Sequence, residues 1–154
     1  MSSPRERLDA LGLTLPEIAA PVAAYVPAVR TGAYVYTAGQ VPVVDGKLQT
    51  AGKVGAEVDP ARAKELARIC ALNGLAAVVS LTGDLAAIRR VVMVTGYVAS
   101  APGFTGQPQV VNGASELLVE VFADAGKHAR SAVGVAVLPL DAPVEVELIV
   151  EVED

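Results

Sequence analysis

Residues 129–152 read ARSAVGVAVLPLDAPVEVELIVEV, and the two halves of this stretch decide the fold. From Val144 the residues alternate, with Val144, Val146, Leu148, Val150 and Val152 on one side and Glu145, Glu147, Ile149 and Glu151 on the other. Successive side chains of a strand point to opposite faces, so this pattern predicts a strand that turns its valines onto helices. Glu151, and with it Glu147, is expected on the solvated face. A short connection, Pro139 to Pro143, joins this strand to a preceding one over Ser131 to Leu138.

Working outward, Val110 to Ala125 (VVNGASELLVEVFADA) has helical periodicity and stops at Gly126. Pro102 to Pro108 reads as a loop. Before it, Arg90 to Val98 (RVVMVTGYV) is a near-continuous β-branched run, as expected of a central strand covered on both faces. Asp59-Pro60 supplies an N-cap and a proline for the first helical position, and apolar residues keep helical spacing from there to Gly83. Further upstream, Tyr25 to Val29 and Ala33 to Thr37, parted by Thr31-Gly32, form a predicted β-hairpin, and Asp45-Gly46 marks a tight turn. The order β-β-α-β-α-β-β implies an α+β two-layer sandwich, a mostly antiparallel sheet with two helices on one face. Residues 1–154 are read as a single domain. Residues 1–20 form an N-terminal extension: a short peripheral helix from Pro4 closed by Gly12, then a linker from Pro16 to Pro21.

Composition narrows the possible partners. Hydrophobic residues make up 53% of the chain and aromatics only 4%, so the core is aliphatic, and a monomer of 154 residues has too little interior to hide all of it. A subunit interface is expected to take the remainder. The net charge of −5 and the lack of a Lys/Arg cluster disfavour nucleic acid as the main ligand. Cys70, the single cysteine, sits in an apolar helical run and reads as a small buried hydrophobe. With no apolar leader and no uninterrupted apolar run of about 18 residues, a soluble cytoplasmic protein with no membrane partner is expected.

Arg130 is the main candidate for chemistry. On a strand it shares a face with Ala132, Gly134 and Ala136, all small, which leaves space in front of a guanidinium whose planar fork matches a carboxylate. A solvent-facing arginine at a strand edge, with close backbone packing behind the small residues, is the alternative, and base rates favour it. Glu145 becomes a candidate to position water or move a proton if it shares a cleft with Arg130. One histidine, His128, and one cysteine cannot make a His-rich or thiolate metal site, so no metal and no cofactor is expected. A Ser-His-Asp triad through Ser131 or Ser115 is formally open, but no Gly-x-Ser-x-Gly elbow is present.

Together these segments resemble the RidA/YjgF family. The arginine followed by a small-residue strand, Leu138-Pro139 and the Val144-Glu145-Val146-Glu147 strand look like its C-terminal signature. Tyr25, Thr37-Ala38-Gly39-Gln40-Val41-Pro42 and Leu72-Asn73 resemble its upstream motifs, so that the likeness runs from about Tyr25 onward. The resemblance implies a chorismate-mutase-like homotrimer with clefts at the subunit interfaces. It also implies hydrolysis of 2-aminoacrylate or 2-iminobutanoate to a 2-keto acid and ammonia. By the same likeness Arg130 binds the substrate carboxylate, Glu145 holds the attacking water, and Tyr25 lines the cleft from the other subunit, beside Ala38, Gly39 and Ala132. Two residues, Asn112 and Ser115, are candidates for the family's helix asparagine. Ala38, Ala132 and Gly134 depart from common polar residues, which implies a roomier, less polar pocket and a divergent branch. A non-catalytic small-molecule-binding or interaction protein on the same scaffold is the alternative function, and an endoribonuclease the least favoured.

Overall fold

In the computed structural model of the chain, which describes residues 1–18 and 23–154, a five-stranded sheet carries two long helices on one face. The strands are β1 (Ala28–Thr31), β2 (Tyr34–Thr37), β5 (Ile88–Ala99), β6 (Ala129–Val135) and β7 (Val144–Val152), in the order β1-β2-β7-β5-β6. β3 (Val43–Val44) and β4 (Lys47–Leu48) form a separate small hairpin. The helices are α1 (Pro4–Ala10), α2 (Pro60–Thr82) and α3 (Gln107–Phe122). The α+β two-layer reading holds. Every pair in the main sheet is antiparallel except β5 with β6, which α3 connects as a crossover.

Local chemistry accounts for the element ends. Asp59 accepts a hydrogen bond from the Ala61 N–H at the start of α2, and Gly83 closes the helix at φ +84°. Asp45 and Gly46 both have positive φ, the geometry that a two-residue hairpin turn requires. α3 begins three residues earlier than the periodicity predicts, because Pro108 falls in the first helical turn, where a missing N–H costs nothing. It also ends earlier, at Phe122, and Ala123–Gly126 form a 3₁₀ turn.

Other expectations need correcting. β1 starts at Ala28, leaving Tyr25 and Val26 outside the hairpin; Pro27 has no N–H for the ladder, and its carbonyl accepts from Ala38. β6 runs from Ala129 only to Val135, since its partner β5 ends at Ala99, the residue opposite Val135. The helices cover one face of β5, where Val91, Val94 and Val98 are buried, while Met93, Thr95 and Tyr97 on the other face stay part-exposed. The N-terminal helix is not peripheral: Leu8 is fully buried in the core, and Arg7 Nη1 donates to the Val121 carbonyl at 3.2 Å. The expected linker from Pro16 to Pro21 lies partly outside the described residues.

Glycines bring the layers together. A Cβ on Gly74 would stand 2.8 Å from Leu148 Cδ1, so α2 lies close against β7. A Cβ on Gly113 would overlap the Lys64 carbonyl, so α3 crosses α2 backbone to backbone at this point. Gly113→Ala must push the helices apart. A destabilisation of about 2 kcal/mol is expected, seen in thermal melts as a midpoint lowered by roughly 4–8 °C.

Candidate active site

Arg130 enters β6 opposite Val94 of β5. Residues paired across a sheet share a face, and Val94 also pairs with buried Leu148, so the Arg130 side chain lies on the helix side. There α3 presents Asn112 and Ser115, three residues apart and therefore on one helical face. Arg130 Nη1 donates to Asn112 Oδ1 at 2.7 Å and to Ser115 Oγ at 3.3 Å. The two residues between which the sequence left a choice both hold the guanidinium.

His128, two residues before Arg130, completes the cluster. Its Nε2 lies 2.9 Å from Ser115 Oγ and its Nδ1 lies 2.6 Å from the Gly126 carbonyl oxygen. A guanidinium only donates and a carbonyl only accepts, so in the neutral ring the donor pattern is determined. Nδ1–H donates to Gly126, and the Ser115 hydroxyl accepts from Arg130 and donates to Nε2. Burial lowers the His128 pKa below its ordinary 6.5, and the Arg130 charge adds to this against the opposing bond to Gly126. Both effects favour the neutral imidazole.

The small residues behind Arg130 leave less open space than expected. Ala132 packs against the core, and a Cβ on Gly134 would come within 2.8 Å of Gln107 Nε2 and 3.1 Å of Ser100 Oγ. Gln107 donates to Ser100 Oγ at 3.1 Å, so the room beside Gly134 is occupied within the chain. In place of a roomier pocket there, the structure has close packing.

Glu145 stands elsewhere. It pairs with Tyr97 and projects from the face opposite to the helices, so Arg130 and Glu145 do not share a cleft within one chain. The carboxylate lies against Gly39, where any Cβ would overlap it. Gly39 belongs to a bulge: Tyr36 pairs with Ile149 and Gln40 with Val146, four steps on one strand against three on the other. Thr37 Oγ1 takes over the ladder by accepting the Leu148 N–H at 2.9 Å. Ala38, in the same bulge, is half-buried. Glu147 is not simply solvated, since it is half-buried and accepts the Tyr97 hydroxyl at 2.9 Å. Tyr25 is 62% exposed and precedes β1, at the sheet edge opposite to β6 and Arg130. Ser131 lies beside Thr95, away from the His128 ring, so of the two serines open for a triad only Ser115 meets the histidine. Cys70 is buried as expected, with Sγ 3.7 Å from the Val144 carbonyl. Among the described residues no three His, Cys, Asp or Glu side chains come together as a metal site would need.

The family model "YjgF/chorismate mutase-like, putative endoribonuclease" matches residues 5–152. The chain belongs to this family. The match takes in α1, upstream of Tyr25, where the likeness read from the motifs begins. Among relatives of this YjgF-family chain, protein TCP17 of Trypanosoma cruzi is 41% identical over 148 residues, covering 96% of the chain and 92% of that protein. The solved structure of Atu1372 from Agrobacterium tumefaciens, of unknown function, is 46% identical with a TM-score of 0.90 over 97% of this chain and 93% of that one. A protein of Shewanella oneidensis MR-1, named a "putative endoribonuclease", is 33% identical with a TM-score of 0.94, covering 98% and 100% of the two chains. The YjgF/chorismate-mutase-like fold is thus the fold of this chain.

Burial first, and then the charge of Glu147, raise the Glu145 pKa above the ordinary 4.5. A carboxyl with a raised folded-state pKa keeps its proton longer in the folded chain, so ionisation weakens folding as pH climbs above 4.5. Glu145→Gln should therefore melt at a higher temperature than wild type at pH 7, and melts repeated down to pH 4.5 should show the difference closing.

Proposed function

We propose that this YjgF-family chain hydrolyses reactive 2-imino and 2-amino-enoic acids, of the 2-aminoacrylate and 2-iminobutanoate type, to 2-keto acids and ammonia. One observation carries the reading. Asn112 and Ser115 fix Arg130 through Nη1 alone; among the described residues neither Nε nor Nη2 makes a hydrogen bond, and no carboxylate pairs with the side chain. A part-buried guanidinium held by one corner, with its other donors unused, is organised for a bidentate carboxylate. Once the carboxylate is held, the imine carbon is electrophilic enough that placing water and moving protons suffices.

The opposite placement of Arg130 and Glu145 supports a site completed by a second subunit. In that reading one subunit supplies Arg130 with its helix cluster. The neighbouring copy in a homotrimer supplies Glu145, seated against Gly39 and placed to hold the attacking water. Tyr25, at the other edge of the sheet, reaches the cleft only from a neighbour. The sheet face without helices fits an interface: Tyr36, Met93, Thr95 and Ile149 line a cavity of about 120 Å³ there. Against an RNA substrate stands the net charge of −5, which repels a phosphate backbone.

Turnover is to be measured as keto-acid release from imino acids generated in situ by an amino-acid oxidase. Arg130→Ala is expected to lose about 100-fold or more in kcat/KM, the scale of stranding a charge without its partner. Full activity in that variant would remove the deaminase reading. The shared site has its own test. Co-expressed Arg130→Ala and Glu145→Gln chains, each inactive alone, should recover about a quarter of wild-type activity, the fraction of interfaces that random assortment leaves with both residues. If the mixture recovers nothing, the two residues do not act across an interface.

A further inference from the structure

The Ser115–His128 pair has no part in the reaction as set out above, yet it touches the guanidinium that would hold the substrate. Arg130, Ser115, His128 and the Gly126 carbonyl form an unbroken hydrogen-bonded line with links of 3.3, 2.9 and 2.6 Å. Every donor in it has one direction: Arg130 to Ser115, Ser115 to Nε2, Nδ1–H to Gly126. The Gly126 carbonyl is itself fixed, because Gly126 packs so closely on α3 that a Cβ there would overlap the Leu118 carbonyl. The ring is thereby held with its basic nitrogen towards Ser115. On its other side His128 lines an open cavity of about 530 Å³ with Tyr34, Arg90, Val92, Lys127, Ala129 and Glu151.

We propose that Ser115 and His128 form a proton relay for the substrate bound at Arg130, with Ser115 touching the reacting water or nitrogen and His128 acting through it as a positioning residue and proton store. The inference rests on the deaminase reading and adds to it the residues that handle the proton. As water attacks the imine carbon, its oxygen bonds to that carbon. Its proton passes to Ser115 Oγ while the Ser115 proton passes to His128 Nε2, leaving an imidazolium whose Nδ1–H remains on the Gly126 carbonyl. The carbon–nitrogen π pair becomes a lone pair on nitrogen, which takes the proton back from Nε2 through Ser115. When the carbinolamine collapses, its hydroxyl proton travels the same line to the nitrogen, the carbon–nitrogen bond breaks, and ammonia departs. Imine plus water become keto acid plus ammonia, and Ser115 and His128 end as they began.

The surroundings keep the relay in its accepting form. The ionisable groups around His128 are Arg130, two residues on in β6, and those that line the same cavity: Lys127, paired with Asp124 at 2.8 Å, Arg90 from β5, Glu151 from β7 and, three strands away, Tyr34 from β2. Burial, and with it the Arg130 charge, favours a neutral ring against the opposing bond to Gly126. A substrate carboxylate on Arg130 offsets that charge, so binding makes the ring more basic when a proton must be taken up.

The test is the pH dependence of turnover in wild type, His128→Gln, Ser115→Ala and Ser115→Thr, corrected at each pH for uncatalysed hydrolysis. Wild-type kcat/KM is expected to fall off on an acid limb below pH 6.5, with the limb of kcat at higher pH than that of kcat/KM. His128→Gln and Ser115→Ala should each lose about 100-fold in kcat with KM little changed and the acid limb gone, while Ser115→Thr, which keeps the hydroxyl, restores both. The chain has one histidine, so ring ¹⁵N spectra assign its tautomer and titration without ambiguity. They should show the Nδ1–H form, a pKa below 6.5, and an upward shift when pyruvate is added. His128→Gln that is folded by its melt and retains the wild-type kcat and acid limb overturns the relay while leaving the Arg130-dependent reaction standing. An Nε2–H tautomer overturns it as well. Absence of turnover in wild type removes the deaminase reading itself, and the relay with it.

Discussion

Parallel pairing of β6 with β5 governs the arrangement of this molecule. Two strands that run the same way cannot be joined by a tight turn, so the chain between Ala99 and Ala129 must cross over the sheet, and it does so as α3. The crossover lays Asn112 and Ser115 over the first residues of β6, where Arg130 begins its strand. Had β6 paired antiparallel, its start and end would be exchanged against β5, and Arg130 would lie at the far end from those partners. Gly96 and Gly113 set how close the crossover lies: a Cβ on the first would run into Val111, and on the second into the Lys64 carbonyl. The guanidinium cluster is therefore a product of topology and of two missing side chains as much as of its own residues.

Much of this was legible in the sequence, for physical reasons that differ between elements. β7 was readable because burial on one face imposes a period of two, and α2 because Asp59, Pro60 and Gly83 each do something at a helix end that few residues do. The ends of β1 and β6 were not, since they depend on where a neighbouring strand stops or where Pro27 withholds an N–H. The start of α3 was hidden by Pro108, which marks a loop or a first helical turn equally well. Burial of Leu8 could not be read from a seven-residue helix whose docking surface is built by α3 and by the turn at Leu85–Ala87, both far along the chain.

The candidate site divides in the same way. Arg130 was visible through its small neighbours, and of the two reasons open for their size close packing applies at Gly134, which makes room for Gln107 from the same chain. His128 carried a usable signal, because residues two apart on a strand share a face, so a histidine at that spacing from Arg130 belongs beside it. The Ser115 contact was not available, as it joins a helix to a strand through a tertiary packing angle. That Arg130 and Glu145 face opposite ways followed from the register of three strands, which no single segment contains.

The bulge at Ala38-Gly39 has a consequence for how the chain folds. In an ordinary ladder any backbone carbonyl can satisfy a given N–H, so a hairpin may dock one residue out of place and still bond well. Here the Leu148 N–H is met by a side-chain hydroxyl, Thr37 Oγ1, and the strand beyond it is seated by a residue without a side chain, Gly39 against Glu145. A shift of one position would offer the N–H the Tyr36 or Ala38 side chain, neither of which can serve, and would drive a Cβ into a carboxylate. It would also turn buried Val35 to the open face. The bulge acts as a detent, a single click at which the first hairpin seats on the rest of the sheet.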